Sequence, residues 1–132
     1  MTDTDAELLL EYLEINQINI FKNVNYNILS SSNKITFDFI QNHLEFNWNW
    51  NDLSANPIIT FTDIINNLSY PWNWDLIGLN PSITFDIIIA NPNYDWNWKY
   101  ISTNPNITWA IVNSNLDKNW DWNGLYSNFM NQ

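Results

Sequence analysis

Tryptophan occurs in pairs with one residue between them, at Trp48/Trp50, Trp72/Trp74, Trp96/Trp98 and Trp120/Trp122, and successive pairs lie 24 residues apart every time. A second marker keeps the same register: Ile35-Thr36-Phe37, Ile59-Thr60-Phe61, Ile83-Thr84-Phe85 and Ile107-Thr108-Trp109. Asn-Pro follows at Asn56-Pro57, Asn80-Pro81 and Asn104-Pro105. Three independent markers in one register, with no insertion, restrict the chain to a tandem-repeat architecture in which each unit packs on its neighbours. The flanks carry degenerate copies: Val24 and Tyr26 stand in the tryptophan places, while Ser32-Asn33 and Asn128-Phe129 replace Asn-Pro. One repeat domain over 1–132 is expected. Its parts are an N-terminal cap at 1–23, a degenerate repeat at 24–47, full repeats at 48–71, 72–95 and 96–119, and a partial repeat at 120–132.

Within a unit, apolar residues recur at Phe61, Ile64, Ile65 and Leu68, and again at Phe37, Ile40 and Leu44, which is the spacing of one helix face. Thr36, Thr60, Thr84 and Thr108 are placed to cap N-termini, and Asp38, Asp63 and Asp86 in the next turn suit the positive end of a helix dipole. A helix of two to three turns is predicted. A second, shorter helix is predicted from Trp-x-Trp to Leu53, Ile77, Ile101 or Leu125, with Pro71 suited to its first turn and an end near Ser54, Gly78 or Ser102. Tryptophans two apart on a helix project about 200° apart. One indole is therefore expected to pack in its own unit and the other against the neighbour. Each aromatic ring buries roughly 150–250 Å², several kcal/mol of gross transfer energy at about 25 cal/mol per Å².

The fold class that follows is all-α, an α-solenoid of short two-helix repeats. An amphipathic capping helix is expected to cover the first unit with Leu8, Leu9, Tyr12 and Leu13, with Thr4 and Glu7 as its capping box and Asp3, Asp5, Glu7, Glu11 and Glu14 on its wet side. The alternative is a leucine-rich-repeat-like solenoid, whose units have a similar length and an asparagine in register, as in Leu53-Ser-Ala-Asn56. Against it, the position two after the asparagine, which should be apolar, is Ile58, Ser82 and Asn106.

The combination of NPxIT, an apolar run, and WNW or WDW at a fixed distance resembles the tandem tryptophan-rich repeat proteins encoded by giant DNA viruses of amoebae. The resemblance covers Ile35 to about Asn128 and departs from the family over Met1 to Asn23, which lacks the markers. It implies an origin and a repeat identity and carries no activity with it. Abundant asparagine and isoleucine without arginine also suit an A/T-rich genome.

The formal charge is −10, and the four basic residues are Lys22, Lys34, Lys99 and Lys118, so the electrostatic footprint of a nucleic-acid binder is missing. Cysteine is absent, which excludes disulfides, thiolate zinc sites and a cysteine nucleophile. The acidic start and short apolar run of MTDTDAELLLEYLEI argue against a signal peptide or a membrane span, so an intracellular or virion location is expected. The acceptor patterns Asn67-Leu-Ser69 and Asn106-Ile-Thr108 are read as chance in an asparagine-rich chain. His43 takes the place of Asn67, Asn91 and Asn115 and is read as a structural polar residue. Ser30, Ser31 and Ser32 have no positioned base, Gly78 and Gly124 cannot form a phosphate loop, and single carboxylates per unit are accounted for as caps. No enzyme activity, cofactor or metal is expected.

Comparing the copies with each other separates core from surface. The columns Trp48/Trp72/Trp96/Trp120, Trp50/Trp74/Trp98/Trp122, Leu53/Ile77/Ile101/Leu125 and Ile59/Ile83/Ile107 stay apolar. The column Asp52, Leu76, Tyr100, Gly124 wanders and is a candidate partner-binding surface, with partial burial under a neighbouring loop as the simpler reading. Trp120, Trp122, Leu125 and Phe129, with no following helix, are a candidate self-association end. The expected function is a non-catalytic scaffold for protein–protein interaction; the alternative is a carbohydrate-binding module using exposed tryptophans. A peptide of residues 72–95 alone should give the far-UV circular dichroism of an unfolded chain, whereas the whole protein should be helical; a cooperative melt from the lone unit would contradict the reading.

Overall fold

The computed structural model describes residues 3–15 and 24–131. Ten helices and no strand occur among them: α1 (Asp3–Ile15), α2 (Tyr26–Ser31), α3 (Phe37–Asn42), α4 (Trp50–Ala55), α5 (Phe61–Ile65), α6 (Trp74–Ile77), α7 (Phe85–Ala90), α8 (Trp98–Ile101), α9 (Trp109–Asn113) and α10 (Trp122–Met130). The all-helical expectation therefore holds for the described residues, and the leucine-rich-repeat alternative has no strand to carry it. None of these helices is long and apolar enough to cross a membrane.

Three columns of aliphatic side chains form the core. Ile35, Ile59, Ile83 and Ile107 are buried, as are Leu53, Ile77, Ile101 and Leu125, and between them lie Ile40, Ile64, Ile88 and Val112. At roughly 1.5–3 kcal/mol per fully buried aliphatic side chain, these columns are the main apolar contribution to stability. The threonines cap as expected: Oγ1 of Thr36, Thr60, Thr84 and Thr108 accepts the N–H of Phe39, Asp63, Ile87 and Ile111. At Thr60 the Asp63 carboxylate returns a bond to the cap's own N–H, completing a capping box.

The helices are shorter than expected. α3, α5, α7 and α9 have only five or six residues, and Leu44 and Leu68, assigned from spacing to the buried face, lie in the turns beyond α3 and α5, 45% and 54% exposed. Side chains fold back on the helix ends and stop them early. The amides of Asn67, Asn91 and Asn115 donate to the carbonyls of Asp63, Ile87 and Ile111 four residues back, and His43 Nδ1 meets Phe39 O in the same way at 2.8 Å. The carbonyls of residues 43, 67, 91 and 115 then accept the indole N–H of Trp48, Trp72, Trp96 and Trp120 at 2.7–2.9 Å. Helix ends are usually closed by a left-handed glycine. With two glycines in 132 residues and no positive φ among the described residues, this chain closes them with amides and indoles instead.

The tryptophan pair also differs from expectation. The second helix of each unit begins at Trp50, Trp74, Trp98 or Trp122, so the first tryptophan lies outside it and the two indoles are not on one helix. The residue between them is the N-cap: Oδ1 of Asn49, Asn73 and Asn97 accepts the N–H of Asp52, Leu76 and Lys99. An asparagine in an extended conformation turns the chain through that point, which helical geometry alone did not anticipate.

The Asn-Pro asparagine supplies a polar tie to backbone 24 and 26 residues earlier in the chain. Asn56 Nδ2 donates to Ser30 O and Ser32 O, Asn80 Nδ2 to Ser54 O and Asn56 O, Asn104 Nδ2 to Gly78 O and Asn80 O, and Asn128 Nδ2 to Ser102 O and Asn104 O, all at 2.9–3.1 Å. Oδ1 of Asn56, Asn80 and Asn104 accepts the N–H two residues on. These three asparagines are buried. Serine adds a second tie, because Oγ of Ser30, Ser54 and Ser102 accepts the N–H of Asn49, Asn73 and Asp121, 19 residues on.

The cap departs from its sequence reading. α1 begins at Asp3, ahead of Thr4, and turns Ala6 and Leu10 to the first coil while Leu8, Leu9 and Tyr12 are exposed. The side chains of Thr4, Leu13 and Glu14, and residues 16–23, lie outside the described residues.

Asn80→Ala removes a buried amide that serves Ser54 O, Asn56 O and the Ser82 N–H, and should cost at least about 3 kcal/mol, given about 1–3 kcal/mol for each buried group left without a partner. Gly78 occupies the place that serine holds at 30, 54 and 102, and a Cβ there would meet the Asp75 carbonyl oxygen and Ile101 Cγ1, each at 3.3 Å, so a new hydroxyl bond is set against a close backbone contact. Gly78→Ser should restore an acceptor for the Asn97 N–H and raise stability by roughly 1 kcal/mol. Urea titration measures both.

Candidate functional site

His43 is buried and fully used by the fold. Its ring stacks on Phe39 at 4.3 Å and lies 4.9 Å from Phe46, and because a carbonyl only accepts, Nδ1 carries the proton toward Phe39 O. The serine run is likewise engaged: Ser30 Oγ accepts from Asn49, Ser31 Oγ donates to Asn27 O and Ile28 O, and Ser32 Oγ accepts from Lys34. Among the described residues, no three His, Asp or Glu side chains come together as metal ligands.

The column Asp52, Leu76, Tyr100 is half-buried throughout. Its last member, Gly124, is buried, and a Cβ there would meet Ser102 Cβ and Thr103 Cγ2 at 3.3 Å. The column is thus partly a contact with the preceding coil. A different column is open: Leu44, Leu68 and Leu116 are 45%, 54% and 58% exposed in one register, with exposed Pro92 at the fourth place. Sequence spacing missed it because Leu44 and Leu68 fall at i+7 of a helix that ends too soon to bury them.

The nine tryptophans separate sharply. Trp48, Trp72 and Trp120 are buried, Trp50, Trp74, Trp96 and Trp98 are half-buried, and only Trp109 and Trp122 are exposed, at 54% and 44%. The inner rings form sockets. Trp72 is stacked on Phe37 (6.2 Å, 29°) and T-shaped to Trp50 (5.1 Å, 87°). Trp96 has the same relation to Phe61 and Trp74, and Trp120 to Phe85 and Trp98. The second indole 22 residues back and the Ile-Thr-aromatic ring 35 residues back therefore hold each of these first indoles. Of the candidate self-association residues, Trp120 and Leu125 are buried inside this packing and Phe129 is half-buried against it. Trp122 alone is exposed, beside Trp109, which the sequence reading did not single out.

Tyr26 takes the place of Trp50 at the first coil and meets Trp48 edge-on at 6.5 Å. Its hydroxyl is buried without a hydrogen-bond partner among the described residues. Burial first, and the Glu45 carboxylate second, hold the phenol above its ordinary pKa.

No protein-family model, curated protein or solved structure matches the chain.

A raised phenol pKa favours the neutral form in the folded state, so its contribution is fully present below the ordinary value of 10.0 and is lost as pH rises through the folded value. Tyr26→Phe should leave stability at pH 7 unchanged or raised by up to about 1–2 kcal/mol, because a buried hydroxyl without a partner disappears. It should also lose less stability than the parent between pH 10 and 12, followed by chemical denaturation.

Proposed function

We propose that the chain is a non-catalytic scaffold for protein–protein interaction, an α-solenoid of 24-residue two-helix units that presents its variable positions to partners. The observation that carries this reading is the recurrence of one side-chain bonding scheme, asparagine amide to the carbonyls 24 and 26 residues back, at Asn56, Asn80, Asn104 and Asn128. A scheme that ties each coil to the last generates an extended surface in which equivalent positions line up. The repeating asparagines and aliphatic residues are consumed by it, while the leucine place that recurs at 44, 68 and 116 is left outward. The exposed leucines Leu44, Leu68 and Leu116 are the apolar part of that surface, and Asp52, Leu76 and Tyr100 are a second, half-buried column. In this reading the chain is a tryptophan-rich repeat protein of a giant virus, an accessory or structural component acting in the host cytoplasm or in the virion.

Carbohydrate binding is the second reading, favoured by one observation: Trp109 and Trp122 lie exposed and adjacent, 6.5 Å apart. Seven other indoles are taken up by internal packing, which leaves that reading a single platform.

The triple variant Leu44→Asn, Leu68→Asn, Leu116→Asn should melt within a few degrees of the parent, because these side chains are exposed, yet lose the proteins that the parent retains in affinity capture from host-cell lysate. Leu76→Asp with Tyr100→Asp asks the same of the bordering column. Retention of every partner by both variants, or capture of glycans and no protein, overturns the scaffold reading.

A further inference from the structure

The charge around the exposed leucines selects one kind of partner. We propose that the Leu44, Leu68, Leu116 column docks an amphipathic helix of another protein, one whose apolar stripe is flanked by lysine or arginine. This deepens the protein-interaction reading above and rests on it for the choice of that column as the docking face.

The fold does not call for leucine at these places. In each turn the polar work is done one residue earlier: the carbonyls of His43, Asn67 and Asn115 accept the N–H of Phe46, Tyr70 and Lys118 and the indole N–H that follows, and their side chains close the helix end. The next side chain is left in solvent. Leucine nevertheless stands at three of the four places, 45%, 54% and 58% exposed. Single exposed leucines are ordinary, but recurrence in one register makes a surface. Leu44 and Leu68 keep their exposure with later units in place. A long-range bond joins their neighbourhoods, because Gln41 Nε2, three residues before Leu44, donates at 3.4 Å to Oδ1 of Asn67, the residue before Leu68. At the fourth place, exposed Pro92 has Ile89, 47% exposed, three residues before it.

The segments that carry this column are the most acidic of the repeats. Residues 36–47, 60–71, 84–95 and 108–119 hold Asp38, Glu45, Asp63, Asp86, Asp95 and Asp117 against Lys118, six carboxylates to one ammonium and a net −5. The alternating segments 48–59, 72–83, 96–107 and 120–131 hold Asp52, Asp75 and Asp121 against Lys99, a net −2. Glu45 and Asp117 directly follow Leu44 and Leu116, and both are exposed, as are Asp38, Asp86 and Asp95. Lys118 lies 3.7 Å from Asp117 and offsets that one charge. Apolar side chains with carboxylates beside them are complementary to leucines with cations beside them, and the sign of the field steers such a partner in.

The form of the partner follows from the backbone. Among the described residues there is no strand whose edge could pair with an extended peptide, so contact is made through side chains, the mode of an amphipathic helix laid on an apolar surface. A second copy is disfavoured by sign. The exposed apolar residues of α1, Leu8, Leu9 and Tyr12, are interleaved with Asp5, Glu7 and Glu11, so that helix would bring like charge to like.

The probe is a synthetic fluorescent peptide of about four helical turns, with leucine along one face and lysine elsewhere. One control replaces lysine by glutamate, and another keeps the composition but spreads the leucines around the helix. Anisotropy titration with the full chain should show saturable binding of the probe that weakens with added salt, and binding at least about tenfold weaker for each control. Leu44→Asn, Leu68→Asn, Leu116→Asn should weaken probe binding at least about tenfold. Glu45→Gln, Asp95→Asn, Asp117→Asn should weaken it several-fold and flatten its salt response. Those three carboxylates are exposed and cap no helix, so this second variant should keep the parent's circular dichroism and melting temperature. No binding of the probe at about 500 μM chain overturns the proposal, as does a glutamate or dispersed-leucine peptide that binds as tightly as the probe. So does either variant that binds the probe as the parent does. Leucine-dependent capture from lysate together with no probe binding overturns the cationic helix and leaves the scaffold reading in place, so the two failures are told apart.

Discussion

A carbonyl that is cut off from water must find a donor, and at Ser30, Ser54, Gly78 and Ser102 the donor is an asparagine amide 26 residues on. Each helix starting at the second tryptophan of a unit ends with carbonyls that have no partner inside the helix. The amide of Asn80 reaches back to one of them, Ser54 O, and to Asn56 O, which also accepts the Ile59 N–H, while its Oδ1 holds the turn that redirects the chain. Only a side chain with paired N–H donors and an acceptor on one short stem can do both. Aspartate lacks the donors, leucine lacks everything polar, and glutamine carries an extra methylene. The proline that follows guarantees that the helix has ended where the amide must enter.

The aromatic packing depends on that tie. With those segments held together, an Ile-Thr-aromatic ring 35 residues back and a second indole 22 residues back both contact a first indole, and the same stacked and T-shaped pair of contacts recurs at Trp72, Trp96 and Trp120. The first indole also donates to the turn before it, which joins the helix end, the turn and the neighbouring unit in a single side chain. Variation is tolerated where this scheme allows a substitute of equal bonding capacity. His43 does the work of an asparagine because Nδ1 can donate as an amide does, and Tyr26 stands for tryptophan as a ring while burying a hydroxyl that gains nothing.

Departures from the scheme are where a surface becomes available. α10 continues past the asparagine to Met130, and Trp109 and Trp122 are exposed with their rings 6.5 Å apart. The turns after α3 and α5 leave Leu44 and Leu68 in solvent because amide and indole bonds stop the helices first. In both places an apolar side chain is exposed by a local rule about helix ends.

The sequence by itself determined the register, the helical class, the threonine caps and the aliphatic columns, since each depends on residue type and spacing along the chain. Ile35 to Ile107 and Leu53 to Leu125 were readable as core because identity recurs wherever packing allows one choice. Tertiary structure alone decided where each helix stops, what the asparagine binds and which indoles are exposed. The helix ends depend on side chains that fold back four and five residues, and the asparagine bonds on groups 24 and 26 residues apart, such as Asn56 and Ser30; spacing marks where these residues recur but not which atoms they meet.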